Sequence, residues 1–163
     1  MKVLYYGGQK SGKSRLAEAK ALEISESKPY YIATYANTYN DDEMKERITK
    51  HQSQREEQFI TIEESFDLNK VIHKNDTYLV DCISMWMLNT LEQSEEVILA
   101  QIEALKYVDA NIVFVLNDVN SGVIPLDKES RKYVDRSGIL GQKLALLCDE
   151  VYEVKLGLEV RLK

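Results

Sequence analysis

The chain contains few of the residues that mark disordered, disulfide-bonded or membrane-spanning proteins. Its 163 residues include two prolines and seven glycines, too few to suggest a disordered tract or a long linker. No apolar run approaches the roughly 20 residues of a membrane-spanning helix. The first residues lead directly into a predicted strand, without the layout of a signal peptide. We therefore expect one cytoplasmic domain over residues 1–163, with no membrane span.

Cysteine is also scarce, and basic residues are fewer than acidic ones. The two cysteines, Cys82 and Cys148, are far apart and lie among apolar residues, so they are predicted to be reduced core thiols and not a disulfide or metal site. The net charge is −6. This argues against a nucleic-acid partner, because binding to a phosphate backbone usually needs a basic face. A small anionic ligand needs only local positive charge.

The most informative segment matches the phosphate-binding pattern G-x-x-x-x-G-K-[ST] at every fixed position. It consists of Gly7, Gly8, Gln9, Lys10, Ser11, Gly12, Lys13 and Ser14. A predicted strand precedes it and a predicted helix follows, as this chemistry requires, since backbone amides and a helix N-terminus surround the phosphate. Lys13 can reach the terminal phosphates, and the Ser14 hydroxyl can hold Mg²⁺.

Apolar runs alternate with amphipathic segments along the whole chain. Strands are predicted at residues 2–6, 30–33, 59–63, 78–81, 112–116, 150–154 and 160–162. Helices are predicted at residues 13–26, 41–57, 68–73, 85–91, 95–108 and 129–148. This rhythm predicts an α/β fold, a single-domain P-loop NTPase of the RecA-like type, with a mostly parallel sheet and helices on both faces. The link between the last two strands is too short for a parallel crossover, so an antiparallel edge strand is expected.

A second candidate element follows the predicted strand at residues 78–81. Asp81 ends this strand, and in phosphate-loop enzymes an acid at such a position commonly supports Mg²⁺ together with the loop hydroxyl. Ser14 and Asp81 are therefore the candidate metal ligands. An aspartate that caps the segment after the strand would explain the same pattern, but the phosphate loop favours the metal site.

The predicted helix at residues 41–57 carries a histidine between two arginines. Arg47, His51 and Arg55 are spaced by four and share one stripe. Positive potential keeps the His51 ring neutral and nucleophilic at pH 7, and the arginines could hold phosphate oxygens. A solvated, charge-rich helix that happens to include a histidine explains the same spacing, so both interpretations remain open at this point. His73 has no such setting and is predicted to lie on the surface.

Several segments together resemble the bifunctional adenosylcobinamide kinase / adenosylcobinamide-phosphate guanylyltransferases of cobalamin biosynthesis. The resemblance covers nearly the whole chain. It is carried by residues 7–15, Ala17, Glu18, residues 31–34, residues 42–44, Arg47, Ile48, His51, Arg55, residues 61–63, Asp81, Cys82, Trp86, Asn89, residues 122–125, Arg131, Asp135, Gly138 and Gln142.

The resemblance implies two reactions. ATP or GTP phosphorylates the aminopropanol hydroxyl of adenosylcobinamide, and GMP is then transferred from GTP to adenosylcobinamide phosphate, giving adenosylcobinamide-GDP. His51 matches the family's nucleophile, which forms a histidine-GMP phosphoramidate, and Lys13 is the second catalytic candidate. The family also implies a homotrimer. The matching nucleotide contacts outside the phosphate loop are Thr34, Tyr35, Ala36, Gln52, Ser53, Gln54, Arg55, Glu63 and Asp81.

Some positions depart from the family's pattern, and two other functions fit part of the sequence. The family usually has Asn-Glu-Val-Gly where this chain has Asn117-Asp118-Val119-Asn120, which affects corrinoid recognition more than nucleotide chemistry. A simple phosphate-loop kinase would use Lys13, Ser14 and Asp81 without a covalent histidine step. A RecA-like nucleotide-binding module would act through conformational change in an assembly.

Overall fold

The computed structural model describes residues 1–36 and 57–163. The predicted helix at residues 41–57 lies outside this range except for its last residue, as do His51, Gln52, Ser53, Gln54 and Arg55. The described residues form a sheet of seven strands: β1 (Lys2–Gly7), β2 (Tyr30–Ala33), β3 (Ile60–Glu63), β4 (Thr77–Asp81), β5 (Asn111–Asn117), β6 (Glu150–Lys155) and β7 (Leu158–Arg161).

The strand order is β3-β2-β4-β5-β1-β6-β7. Every neighbouring pair is parallel except β6 and β7, which form an antiparallel hairpin. The predicted mostly parallel sheet with an antiparallel C-terminal edge strand is thus confirmed. Because parallel strands end at the same edge of a sheet, the segments that follow β1, β2, β3, β4 and β5 meet there.

Helices cover both faces of the sheet, as predicted. They are α1 (Lys13–Ile24), α2 (Ile83–Asn89), α3 (Glu95–Leu105) and α4 (Lys128–Leu147). Side-chain caps start two of them: the Ser94 hydroxyl accepts from Val97 N, and the Asp127 carboxylate accepts from Ser130 N. The helix predicted at residues 68–73 is wrong, because only Leu68–Lys70 form a single 3₁₀ turn.

Two apolar clusters lie on opposite sides of the sheet, because successive strand residues point to opposite faces. Leu4 packs into the cluster that includes Trp86, Ile98 and Leu144, and its neighbour Val3 packs into the cluster formed with α1. The two cysteines are free thiols: Cys148 is buried and Cys82 half-buried. The predicted core position is confirmed for Cys148, whereas Cys82 packs partly buried against the other cluster. In the described part of the chain, no helix combines the length and apolarity that crossing a membrane requires.

Candidate active site

The phosphate-loop segment, residues 7–14, connects β1 to α1 at the carboxyl edge of the sheet. Gly12 has φ +98°, a left-handed conformation that residues with a side chain rarely adopt. No side chain caps the N-terminus of α1, which begins at Lys13. The first amides of this helix, with the partial positive charge of its dipole, are therefore suited to an anion.

The hairpin of β6 and β7 supports this loop from one side. A Cβ atom at Gly7 would collide with the Val154 carbonyl, so only glycine fits there. Gly157, in the hairpin turn, donates its N–H to the carbonyl of Ser11 over 2.8 Å. A Cβ at Gly12 would lie 3.2 Å from the Cα of Gly157. The C-terminal hairpin thus holds the phosphate loop in place through backbone contacts.

Lys13 and Ser11 place polar groups inside the loop. Lys13 is only 6% exposed, and its Nζ donates to the Gly8 carbonyl over 3.0 Å. Burial lowers the pKa of Lys13, partly offset by the neighbouring Cys82 and Asp81. The buried Ser11 Oγ has no hydrogen-bond partner among the described residues. A phosphate in the loop would supply acceptors for both groups.

Asp81 ends β4 opposite the phosphate loop. Ser14 Oγ donates to one carboxylate oxygen of Asp81 over 3.5 Å, and the Tyr31 hydroxyl donates to the other over 3.2 Å. Mg²⁺ prefers hydroxyl, carboxylate and phosphate oxygens and usually takes only one or two carboxylates from the protein. The donor set of Ser14 and Asp81 therefore fits Mg²⁺ held together with nucleotide phosphates.

The ends of β2 and β3 are tied to α2 by side chains. The Thr34 hydroxyl donates to Cys82 O over 2.7 Å and accepts from Cys82 N over 3.0 Å. Asn89 Nδ2 donates to the carbonyls of Thr34 and Ser65, at 2.6 and 3.1 Å. Thr34 is fully buried, so its side chain connects protein segments. A nucleotide contact by Thr34, and those by Tyr35 and Ala36, stay predictions.

Glu63 lies at the same edge, farther along the sheet. Its register partner on β2 is Ala33, which in turn is the partner of Asp81 on β4. Two strand spacings separate the Cα atoms of Glu63 and Asp81, about 10 Å. The Glu63 side chain is exposed, so it can accept hydrogen bonds from a ligand.

Comparison with known proteins agrees with this geometry. The model of the family described as cobinamide kinase / cobinamide phosphate guanyltransferase matches residues 3–162. The chain belongs to this family. It is 35% identical over 172 residues to the bifunctional adenosylcobalamin biosynthesis protein CobP of Pseudomonas aeruginosa, covering all of this chain and 98% of the relative. It is 33% identical over 185 residues to the bifunctional adenosylcobalamin biosynthesis protein CobU of Escherichia coli, covering all of both chains.

Family membership accounts for the phosphate loop, and the structure adds contacts that sequence patterns do not contain. The fold brings residues 7–14, Thr34, Glu63 and Asp81 to one edge of the sheet. The Tyr31 hydroxyl on Asp81 was not predicted, because Tyr31 reads as an ordinary strand residue. The bridging role of Asn89 was also missed, although its position matches the family. The Tyr31–Asp81 and Asn89–Thr34 contacts join residues 50 or more positions apart, which no local pattern reveals. His73 is exposed, as predicted.

Proposed function

We propose that this protein phosphorylates adenosylcobinamide with ATP or GTP and then transfers GMP from GTP to adenosylcobinamide phosphate through a histidine-GMP intermediate. The observation that carries the proposal is one phosphate loop with a buried Lys13, facing Ser14 and Asp81, in a member of this family. Both steps use a nucleoside triphosphate, and this loop is the candidate site for both.

In the kinase step, the loop binds and orients the triphosphate. Backbone amides at the start of α1 and the Lys13 ammonium neutralise charge on the phosphate oxygens. Ser14 and Asp81 would hold Mg²⁺, which when bound neutralises charge that develops during transfer. The substrate hydroxyl oxygen bonds to the γ-phosphorus while the bond from that phosphorus to the β–γ bridging oxygen breaks. ADP or GDP leaves, and the hydroxyl proton passes to solvent. This step needs positioning and charge neutralisation more than a protein nucleophile.

In the guanylyl step, His51 is the proposed nucleophile. A bond forms between an imidazole nitrogen and the α-phosphorus of GTP while the bond to the bridging oxygen breaks, and pyrophosphate leaves. A phosphate oxygen of adenosylcobinamide phosphate then attacks the α-phosphorus, and His51 leaves with its lone pair restored. Arg47 and Arg55, one helical turn away on either side in the predicted helix, would neutralise the α-phosphate oxygens.

Glu63 is the proposed reader of guanine. A carboxylate can accept hydrogen bonds from both the N1–H and the 2-amino group of guanine, a pairing that adenine cannot offer. The exposed position of Glu63 at the carboxyl edge supports this role.

We further propose that the protein is cytoplasmic and that it forms a homotrimer, the oligomeric state that the family resemblance implies. Sedimentation equilibrium measures the oligomeric state directly. A mass near 18.8 kDa, that of one chain, would contradict the trimer and leave the proposed chemistry unaffected.

Radiolabelled GTP tests the covalent step. Incubation with [α-³²P]GTP and Mg²⁺ should label the protein and release pyrophosphate, whereas [γ-³²P]GTP should leave no such adduct. The label should be acid-labile and alkali-stable, as a phosphoramidate is. His51→Asn should lose the label, and His73→Asn is the matched control, since the chain has only these two histidines. Persistent α-label in His51→Asn would contradict the assignment and favour a simple kinase.

A further inference from the structure

The segment that follows β5, residues 118–127, lies directly beside the phosphate loop. Asp118 N donates to the carbonyl of Gly7 over 2.8 Å. One residue earlier, Asn117 N donates to Ser84 Oγ over 2.8 Å. The segment, called the β5–α4 loop below, therefore begins between the phosphate loop and α2, on the edge where an acceptor must approach the nucleotide.

Polar groups fix the backbone of the β5–α4 loop from within. The Asp118 carboxylate accepts from Asn120 N over 3.0 Å and from Ser121 Oγ over 2.6 Å. Asn120 Nδ2 donates to Val134 O on α4 over 2.8 Å. At the far end, Arg131 Nη1 donates to the Pro125 carbonyl over 3.0 Å. These hydrogen bonds, and not packing in an apolar core, define the shape of the loop.

Three aliphatic side chains of the β5–α4 loop are exposed. Val123 is 95% exposed, Ile124 76% and Leu126 97%. A single exposed aliphatic residue needs no explanation. Three within four positions, in a loop whose backbone is fixed by hydrogen bonds and which begins beside the phosphate loop, offer apolar surface that a ligand can cover.

We propose that Val123, Ile124 and Leu126 form the docking surface for the apolar face of the corrin ring, and so determine corrinoid affinity in both reactions. The inference rests on the proposed function. A corrinoid is a large acceptor with an apolar macrocycle, and only its aminopropanol arm reacts. The ring must lie outside the phosphate site while the arm reaches it, and the β5–α4 loop starts beside the phosphate loop, where Asp118 N donates to Gly7 O. Contact far from the reacting atoms also supplies binding energy that positions the hydroxyl.

The occupant is a corrinoid and not a nucleotide, because the three exposed aliphatic side chains offer neither a charge to a phosphate nor a hydrogen bond to a base. The Asp118 carboxylate in the same loop would repel an anion. Asn120 and Ser121 are exposed beside the apolar side chains. They could donate to or accept from the amide groups that fringe a corrinoid.

The test is a triple variant, Val123→Ser, Ile124→Ser and Leu126→Ser, in the full-length protein. We expect KM for adenosylcobinamide in the kinase reaction to rise about tenfold or more, because apolar contact area is lost. KM for the nucleotide and the rate of labelling by [α-³²P]GTP should stay unchanged, since neither involves the corrinoid. Intact labelling also shows that the variant folds. Val97→Ser with Leu146→Ser is the matched control, because both residues are exposed aliphatics on helices, 48% and 80% exposed.

Two further measurements separate the outcomes. Equilibrium dialysis with adenosylcobinamide, followed by its visible absorbance, measures binding without turnover and should show the same loss. An unchanged KM and an unchanged dissociation constant would overturn the inference. So would an assembly that dissociates on sedimentation in the triple variant, because the surface would then join copies of the chain. Wild-type protein that binds adenosylcobinamide without phosphorylating it would contradict the proposed function alone.

Discussion

Two neighbouring loops at the carboxyl edge of the sheet differ in which part of the chain they present. The phosphate loop, residues 7–14 after β1, presents backbone, and it depends on glycine at Gly7 and Gly12 and on a buried Lys13. The β5–α4 loop, residues 118–127, fixes its backbone with side-chain hydrogen bonds and presents three exposed aliphatic side chains. The two loops are joined by one hydrogen bond, from Asp118 N to Gly7 O.

This difference shows how one edge of the sheet can bind two kinds of ligand. A phosphate is small and charged, so a rigid set of amides and one ammonium group suffices. A large acceptor with an apolar face requires surface area, which side chains supply. If this division is correct, substitutions in the phosphate loop affect every step with a nucleotide, and those in the β5–α4 loop affect only steps with the acceptor.

The largest effect is expected at Lys13. Lys13→Ala should reduce kcat of both reactions by about 10³-fold, because an ammonium group is lost at a preorganised phosphate site. Steady-state assays of each reaction measure this, with Lys74→Ala, an exposed lysine far from the loop in sequence, as the control. Near-normal kcat in either reaction would mean that two nucleotide sites exist. The proposed contrast between the phosphate loop and the β5–α4 loop would then be wrong.

Asp81→Asn should cause the next largest loss, about 10²-fold in turnover, with the Mg²⁺ concentration for half-maximal rate shifted upward. An amide keeps the shape of the side chain and loses the charge that attracts the cation. Thermal unfolding should change little. Asp109→Asn, an exposed aspartate at the other end of the sheet, is the matched control. An unchanged Mg²⁺ dependence would remove Asp81 from the metal site and leave it a structural partner of Ser14 and Tyr31.

Glu63→Gln should reduce the preference for GTP over ATP in the guanylyl step by roughly ten- to a hundredfold. An amide offers one acceptor oxygen and a mismatched NH₂ to guanine. Competition between the two nucleotides in the labelling assay measures the ratio. Glu64→Gln is the control, because a Glu64 oxygen already accepts from Phe66 N and Asp67 N. Retained selectivity would mean that another residue reads the base.

The smallest effect concerns Asp118, which organises the β5–α4 loop. Burial raises its pKa, but hydrogen bonds from Ser121 and Tyr6 outweigh burial, so that the pKa lies below its ordinary value of 3.8. The contribution to stability is therefore present above pH 3.8 and is lost as pH falls through the lower folded-state value.

Urea unfolding of wild type and Asp118→Asn tests this direction of the pH dependence of stability. The variant should be less stable at pH 7 by about 1 kcal/mol, the size of one hydrogen bond, and the difference should shrink near pH 3. A difference that grows on acidification would show that Asp118 does not hold the loop as a carboxylate. Asp127→Asn, which removes a charge from the cap of α4, provides the comparison at the other end of the loop.

The parts of the fold that local residue spacing specifies could be predicted from the sequence. The motif from Gly7 to Ser14 requires a strand before it and a helix after it, and both form within two residues of the predicted bounds. The strand that ends at Asp81 is also local. In contrast, the Tyr31 contact with Asp81 and the Asn89 bridge join distant segments, and their partners are set by the strand order.

The direction of individual side chains could not be predicted from the sequence either. The sequence did not reveal that the Thr34 hydroxyl bonds to the backbone of Cys82, and the nucleotide contact predicted for Thr34 stays a prediction. The outward direction of Val123, Ile124 and Leu126 depends on the Asp118 and Arg131 hydrogen bonds. An apolar segment of this kind could equally have packed into the core, since composition does not specify direction.

A label-chase experiment tests the division between the two loops most directly. The wild type and the Val123→Ser, Ile124→Ser, Leu126→Ser variant are labelled with [α-³²P]GTP, freed of nucleotide and mixed with adenosylcobinamide phosphate at a concentration below saturation. We expect equal labelling of both proteins and a transfer of label to the acceptor that is about tenfold slower in the variant. Equal transfer rates, or a variant that cannot be labelled, would contradict the account.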